Sequence, residues 1–293
     1  MSKKIHMTLD GVFGIVVKGV SLLVVMLLGF IIIFVLKEAF LVFKEVPFYQ
    51  FVFTKGWKPT SQPIKLGILP MILASIYVSL LAILFSLPIG LGTSIFLSFV
   101  VNKRLKRIIR IIVDLMAGIP SVIYGFFGLV VIVKFFEVKF DFTSGETVLS
   151  ASILLSIMIL PYIVSTCEES IEKVRNNYQS MSKALGVSKW YMIRHLILPS
   201  AKRAVISALI LALSRALGET MAIMMVIGNS PIYPKLLGKA QTIPALIALE
   251  MGGAQIDSMH YHGLFAAGFI LMLTLLIINT IFYYIRKNYI DIY

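Results

Sequence analysis

The feature that most constrains this chain is Leu66–Val101, a run of 36 residues that contains no charged side chain. A straight helix needs only about 20 apolar residues to cross a bilayer. The run therefore has room for a transmembrane helix and a short entry segment. Pro70, Pro88, Gly90 and Gly92 predict that this helix is bent. A chain with such a segment is predicted to be an integral membrane protein.

The composition supports this prediction and excludes several other classes. Of the 293 residues, 59% are hydrophobic and only 14% are charged, and the mean hydropathy is +0.94. Soluble domains average about half apolar and a quarter charged residues. The net charge of +13 is typical of membrane proteins that concentrate Lys and Arg in cytoplasmic loops. The sequence contains no stripe of aromatic and basic residues of the kind that would indicate nucleic-acid binding. The lone Cys167 excludes an internal disulfide and a cysteine metal cluster.

Five further apolar segments complete a predicted all-α, polytopic bundle of about six transmembrane helices. The first resembles a signal peptide, but it lacks a convincing cleavage site and is long enough to span, so we expect an uncleaved helix. We expect Pro161 to break the fourth span. The five segments are Gly19–Leu36, Ile111–Val133, Val148–Cys167, Ala204–Gly228 and Gly263–Ile285.

The distribution of basic residues predicts the orientation. With six spans both termini lie on one side, which carries sixteen Lys and Arg residues against nine on the other. The excess favours cytoplasmic termini. Residues 37–65 and 229–260 are then extracytoplasmic loops. Within the second, Ile243–Ala254 is apolar but too short to span, which indicates a re-entrant segment.

Residues 168–200 are too polar to lie in lipid and too regular for an irregular loop. Apolar side chains recur every three or four residues, as on an amphipathic helix: Ile171, Val174, Tyr178, Met181 and Leu185. Gly186 can end this helix, and a second short apolar face precedes Pro199. The residues alone allow two interpretations, a knob that docks on a partner protein or an amphipathic helix that lies on the membrane.

Two ionisable residues interrupt the fifth span. Arg215 and Glu219 are four positions apart, which places both on one helical face. Such residues usually face the bundle interior and mark a pathway. One interpretation is an ion pair that only locks helices together. The other is that Arg215 offers its planar set of donors to an oxyanion, while Glu219 holds Arg215 when the pathway is empty.

Other polar groups predict less. We expect Asp114 to pair with Arg110 at i,i+4, and Gly118–Ser121 to kink the third span or to line a pore. His260 and His262 lack a third ligand, so we assign no metal, and we assign no cofactor. The sequence contains no phosphate-binding loop of the type Gly-x4-Gly-Lys-Ser/Thr. We therefore expect that the chain is not an enzyme and that a partner hydrolyses ATP.

One motif of the surface segment resembles a known family. Gly186, nine residues and Leu196-x-Leu198-Pro199 are similar to the loop by which permeases of ATP-binding-cassette (ABC) importers dock on their ATPase. That loop carries Glu-Ala-Ala at its start, and the acidic position falls here on Ser180. The resemblance implies a coupling loop formed by these residues together with Ala184. Because Ser180 carries no carboxylate, the salt bridge that the family's glutamate could make to the ATPase is not expected here.

Longer motifs narrow the resemblance to phosphate importers of the PstC type. They are Gly67–Pro70, Ala117–Gly125 and Ala212–Ala222, the last containing Gly218-Glu219-Thr220-Met221-Ala222. The resemblance implies a type I (MetI-like) permease fold over residues 66–285, after an N-terminal helix and loop (1–65) and before a short cytoplasmic tail (286–293). It also implies a multi-pass protein of a bacterial or archaeal plasma membrane.

The implied partners are a PstA-like second permease, a dimer of a PstB-like ATPase and a PstS-like phosphate-binding protein, besides phosphate and membrane lipid. The implied substrate pathway contains Arg215, Glu219, Thr220 and Ser121. The alternatives left open are a PstA-like sister permease and a permease for another oxyanion. A secondary transporter is disfavoured because we see no internal repeats, and no motif supports a membrane sensor.

Overall fold

A computed structural model describes the backbone of residues 2–290. It describes side chains from residue 13 to residue 290, apart from residues 183, 203, 286 and 288–290. The elements are, in chain order, α1 (Ser2–Glu45), α2 (Phe48–Phe53), β1 (Lys55–Lys58), β2 (Lys65–Ile68), α3 (Leu69–Phe99), α4 (Lys103–Gly118), α5 (Ser121–Phe127), α6 (Lys134–Phe140), α7 (Val148–Ala184), α8 (Lys189–Met192), α9 (Leu198–Gly218), α10 (Met221–Val226), α11 (Ile243–Glu250) and α12 (Met259–Ile290). Two π-helical segments, Gly128–Val133 and Ile193–Ile197, join α5 to α6 and α8 to α9.

The described helices confirm an all-α bundle with about six spans. Five of them are long and apolar enough to cross a membrane: Phe13–Glu45, Leu69–Phe99, Ser121–Phe140, Val148–Ser182 and Met259–Ile285. A sixth candidate combines Lys189–Lys202 with Ala204–Gly218, which meet at an angle of 52°. The chain is therefore a multi-pass membrane protein.

The predicted third span, Ile111–Val133, is wrong in its bounds. The structure ends α4 at Gly118 and begins the spanning helix at Ser121. Ile119 adopts an extended conformation with ψ of 128°. The residue before a proline is disfavoured in the helical region, and Pro120 has no N–H to continue the hydrogen-bond ladder. The break is therefore complete, and the spanning helix continues beyond the predicted boundary to Phe140.

The fourth span is much longer than predicted. Helix α7 runs unbroken through Pro161 to Ala184. The first half of the polar segment 168–200 is thus the end of this spanning helix rather than a separate surface helix. The helix ends before Gly186, whose φ of 64° lies in the left-handed region that glycine tolerates best.

Helices α3, α7 and α9 form the centre of the bundle. Ser94 of α3 donates a hydrogen bond to the carbonyl of Val164 on α7 over 3.0 Å. Nearby, a Cβ atom on Gly90 would lie 2.7 Å from the side chain of Ile163, so a larger residue at this position would collide with α7. Cys167 is fully buried in the same core.

A second, smaller core joins the N-terminal elements to α12. Strands β1 and β2 pair antiparallel, with Trp57 opposite Leu66. Glu38 of α1 lies 2.8 Å from Nδ1 of His262 on α12, and both side chains are nine-tenths buried. Farther from this contact, residues 13–36 of α1 are largely exposed, as expected for a helix surrounded by lipid.

The bundle has two opposite polar ends. The β-hairpin precedes α3, whereas the last turn of α3 lies beside the Gly186 turn, because Phe99 lines one groove together with Ser182 and Val187. The apolar segment predicted as re-entrant forms the short helix α11, whose first turn is buried and whose Ile243 N–H donates to Ser75 near the hairpin end of α3. The hairpin and the Gly186 turn therefore face opposite sides of the membrane.

Candidate functional site

Arg215 lies in the last turn of α9 and does not pack into the core of this chain. Its guanidinium carbon is 4.5 Å from the centre of the Tyr162 ring on α7. A cation at this distance from an aromatic face is stabilised by about 0.5–2 kcal/mol, more where water is excluded. The guanidinium remains exposed on the surface of this subunit. The ring thus orients the charge while the N–H donors remain available.

Two tyrosines connect Arg215 to the break between α4 and α5. The Tyr162 hydroxyl donates to the carbonyl of Ala117 over 3.4 Å, and the Tyr124 hydroxyl donates to that of Met116 over 2.9 Å. Both carbonyls lie in the last turn of α4, where the carbonyl of Met116 also accepts from the N–H of Ile119 over 3.4 Å. The sequence motifs Ala117–Gly125 and Ala212–Ala222 therefore meet at one place in the fold.

The predicted geometry of Glu219 is wrong. Helix α9 ends at Gly218, and Glu219 is extended, with ψ of 127°. Its carboxylate instead accepts a hydrogen bond of 3.3 Å from the backbone N–H of Ala222, in the first turn of α10. Among the described residues, no ion pair joins Arg215 to Glu219. Carboxylates favour helix N-termini, and this interaction competes with the i,i+4 geometry that a continuous helix would impose.

The two other residues predicted for the pathway lie at the helix breaks. Thr220 is half-buried, and its hydroxyl donates to the carbonyl of Gly218 over 3.2 Å. Ser121 is half-buried and begins α5, three residues before Tyr124. Helices α5 and α10 are in close contact, because a Cβ on Gly125 would lie 3.0 Å from the Cα of Ala222. The helices that follow the two breaks, α5 after Gly118–Pro120 and α10 after Glu219–Thr220, therefore contact each other.

The expected pair of Asp114 with Arg110 is not formed. Arg110 instead reaches α7, where its Nη2 lies 3.3 Å from the carboxylate of Glu168. Lys106 lies 2.9 Å from the same carboxylate and 2.6 Å from that of Glu172. Asp114 points to an open groove beside the break at Gly118–Pro120.

Sequence reasoning missed this network, although a signal for it exists. Lys106 and Arg110 are four residues apart on α4, as are Glu168 and Glu172 on α7. Two such pairs of opposite charge can align along two packed helices. With the hydroxyl of Tyr162 at its other end, the network fixes the whole of α4 along α7.

The Gly186 turn joins the end of α7 to the short helix α8, and this corner is called the knob below. Ser180 and Ala184 lie on exposed positions of the last turns of α7, Leu196 is half-buried in the π-helical segment, and Leu198–Pro199 begin α9. Large apolar side chains protrude from this polar end, and Leu185 and Trp190 are 77% and 75% exposed. Large exposed apolar patches outside a membrane are typical of protein interfaces, which makes this end a candidate docking surface.

Both histidines of the opposite end bind carboxylates. His260 Nε2 lies 2.7 Å from Glu250, which also accepts a 2.7 Å hydrogen bond from the indole of Trp57. His262 pairs with Glu38. These contacts join the β-hairpin, α11 and α12, and they give both imidazoles a structural role.

Comparison with known proteins identifies the family. The family model described as "Binding-protein-dependent transport system inner membrane component" matches residues 86–290. A probable phosphate transport system permease protein PstC of Methanocaldococcus jannaschii is 34% identical over 87% of this chain and 89% of that protein. The phosphate transport system permease protein PstC of Mesorhizobium japonicum is 32% identical over 92% and 88%. A probable ABC transporter permease protein, YqgH, of Bacillus subtilis is 34% identical over 76% and 72%.

Solved structures show the same fold at low sequence identity. A chain of the MetNI methionine ABC transporter in an inward-facing conformation has a TM-score of 0.60 at 17% identity and covers 76% of this chain and 95% of that one. A chain of a bacterial alginate ABC transporter has a TM-score of 0.58 at 19% identity and covers 89% and 92%. These neighbours confirm the predicted MetI-like permease fold. The relatives are named as permeases, which are transport components rather than enzymes. The chain belongs to the family of binding-protein-dependent transport system inner membrane components.

Proposed function

We propose that this chain is one of two permease subunits of an ATP-driven phosphate importer, with the phosphate pathway along the exposed side of Arg215. The relatives that are 32–34% identical over most of the chain and carry phosphate permease names support the substrate. The observation that carries the site is the guanidinium of Arg215, held over Tyr162 in a spanning helix and left without a carboxylate partner among the described residues.

A permanently charged group inside a membrane protein is costly unless it serves a pathway or has a partner. Arg215 offers planar N–H donors that suit a tetrahedral oxyanion. Among the described residues Arg215 and Glu219 form no ion pair, so Glu219 does not hold Arg215 in the way that the sequence predicts. Glu219 orders the start of α10 through Ala222, and it places a carboxylate near the pathway that keeps phosphate binding weak enough for release. Thr220 and Ser121 supply neutral donors at the two helix breaks.

The exposure of Arg215 supports a pathway that a second subunit completes. A charged side chain in the middle of a bilayer would otherwise face lipid. The adjoining side of α4 is equally uncovered, with Ile111, Ile112 and Leu115 more than half exposed. A PstA-like sister permease fits this surface, and together the two would enclose the anion.

The knob around Gly186 is the proposed contact for a PstB-like ATPase dimer. Ser180, Ala184, Gly186, Leu196, Leu198 and Pro199 define it, and Leu185 and Trp190 supply exposed apolar anchors. Because Ser180 replaces the acidic residue of the motif, docking here depends on apolar contacts. ATP binding would close the ATPase dimer and move α7 and α9, which the knob joins.

The opposite end, with the β-hairpin and α11, is the proposed face for a PstS-like binding protein. This assignment puts the Gly186 turn and both termini in the cytoplasm, as the distribution of Lys and Arg predicts. Residues 66–285 then form the permease domain, and residues 1–65 add a peripheral helix with an extracytoplasmic loop.

Uptake by reconstituted vesicles tests the function. Vesicles contain this chain, its candidate partner permease, the ATPase and the binding protein, and they are supplied with radiolabelled phosphate or sulfate. The proposal predicts phosphate accumulation that requires ATP and the binding protein. Sulfate is the alternative substrate because one arginine cannot distinguish tetrahedral oxyanions. Transport of sulfate without phosphate would agree with the proposed architecture but would contradict phosphate as the substrate. Uptake without ATP would contradict the importer itself.

A further inference from the structure

A groove of about 500 Å³ lies between α3 and the beginning of α9, away from Arg215. Its walls are apolar: Leu91 of α3 faces Val205 and Ile206 of α9, and Leu198 and Pro199 continue this surface toward the Gly186 end. Leu198 and Pro199 also belong to the Gly186 motif, but that motif does not account for the cavity beside α3. The groove opens on the outer surface of the described bundle.

The groove carries two positive charges among its lining residues. Arg194 and Lys202 line it, both are exposed, and no described carboxylate lines it with them. Within the described residues, neither cation has an ion-pair partner. The groove therefore combines two uncompensated positive charges with an apolar floor, and its ligand must be both anionic and apolar.

The order of these groups along the membrane normal matches an amphiphile. Arg194 precedes the bend of 52° between Lys202 and Ala204, on the side of the Gly186 turn. Val205 and Ile206 lie beyond the bend, seven and eight residues after Leu198, which is about 10–12 Å along the helix path at 1.5 Å per residue. Leu91 is likewise two turns inside the end of α3. Arg194 therefore lies toward the membrane interface, Leu91, Val205 and Ile206 lie toward its centre, and Lys202 lies at the bend between them.

We propose that this groove is a binding site for an anionic phospholipid. The headgroup phosphate lies between Arg194 and Lys202, and an acyl chain lies along Leu91 and Val205. Basic pockets between spanning helices at the cytoplasmic interface are suited to acidic headgroups. Free phosphate would leave the apolar walls bare, and a soluble partner that contacts Leu198 and Pro199 would not reach Leu91 and Val205, which lie toward the membrane centre. The lipid contacts both sides of the bend and stabilises the angle between the knob and the spanning part of α9.

Native mass spectrometry of the purified full-length chain tests the proposal, independently of any transport. The chain is titrated with phosphatidylglycerol or phosphatidylcholine of identical acyl chains. We expect one phosphatidylglycerol to remain bound under conditions that remove phosphatidylcholine. Since each interfacial cation contributes roughly 1 kcal/mol, the double variant Arg194→Gln/Lys202→Gln should bind phosphatidylglycerol about 25-fold more weakly. Both side chains are exposed, so the variant is expected to fold normally.

A matched variant controls for the loss of charge. Lys103→Gln/Lys173→Gln removes two exposed cations outside the groove and should retain the lipid. Equal affinity of the groove variant and the wild type for phosphatidylglycerol would overturn the proposal. So would equal binding of both lipids by the wild type. Binding of glycerol phosphate as tight as that of long-chain phosphatidylglycerol would assign the cations to a free phosphate and would contradict a lipid site.

Discussion

The guanidinium of Arg215 lies over the ring of Tyr162, with 4.5 Å between the guanidinium carbon and the ring centre. The same tyrosine donates its hydroxyl to the last turn of α4. One side chain therefore positions the intramembrane charge and the helix break that faces it. Any movement of α7, which carries Tyr162 and continues into the knob at Gly186, would shift Arg215 relative to α4.

Removal of the Tyr162 ring should impair transport more than removal of its hydroxyl. Tyr162→Phe keeps the aromatic face and loses only a 3.4 Å hydrogen bond. Tyr162→Leu loses the cation–π contact, worth about 0.5–2 kcal/mol, which corresponds to roughly a 2- to 30-fold lower uptake rate. Initial rates of phosphate uptake check this order. Equal rates for the Phe and Leu variants would show that the ring does not position Arg215.

Gly90 should not tolerate a side chain. A Cβ there would lie 2.7 Å from Ile163, so Gly90→Ala must push α3 and α7 apart, at a cost of about 1–3 kcal/mol. Thermal unfolding in detergent should show a lower Tm. Gly92→Ala in the same helix is the control, since nothing lies within 4 Å of its added Cβ. Ile163→Ala should partly restore the Tm of Gly90→Ala, and no restoration would contradict the proposed clash.

Glu168 should contribute more to stability than its neighbour Glu169. Its carboxylate is 98% buried and compensates Lys106 and Arg110, so Glu168→Gln leaves two cations with less counter-charge. Breaking a buried pair costs up to about 3–5 kcal/mol, and we expect less here because Lys106 retains Glu172. Glu169 is exposed, and Glu169→Gln should leave the Tm unchanged. A similar Tm for both variants would rule out a structural role for the network.

The sequence predicts the spans of this protein better than their boundaries. Apolar length and hydropathy identify the spanning segments, because a bilayer demands about 20 apolar residues wherever the chain crosses it. They do not show that α7 continues to Ala184, since a helix can leave the membrane without any change of backbone structure. The break predicted at Pro161 is also wrong, because packing keeps α7 helical through a residue that usually breaks a helix.

The candidate site is only partly predictable for a similar reason. Sequence spacing places Arg215 and Glu219 on one helical face, but that inference requires a continuous helix, and α9 ends between them. Tyr162 lies 53 residues before Arg215 with no local signal that links the two. Only the packing of α7 against α9 brings them together. The groove at Arg194 likewise depends on Leu91, more than a hundred residues away in the chain.

The apolar anchors of the knob should control coupling to the ATPase. Leu185→Ser removes a side chain that is 77% exposed and should not affect folding. Loss of one interface anchor costs about 1–3 kcal/mol, so ATPase binding should weaken roughly 5- to 150-fold. Copurification and titration of the labelled ATPase measure this effect. Lys173→Ala changes an exposed residue on the same helix before the knob and should bind normally. Weakening by Lys173→Ala equal to that by Leu185→Ser would contradict apolar docking at the knob.

The central claim is that Arg215 meets the transported anion. ATP-dependent phosphate uptake by vesicles with Arg215→Ala tests it most directly, beside Arg215→Lys and a measurement of subunit assembly. The account predicts that the alanine variant assembles normally but loses nearly all uptake, and that lysine, a point charge without the planar set of donors, restores only a small part of it. Wild-type uptake by a fully assembled Arg215→Ala importer would contradict the account and would leave Arg215 a role in helix packing.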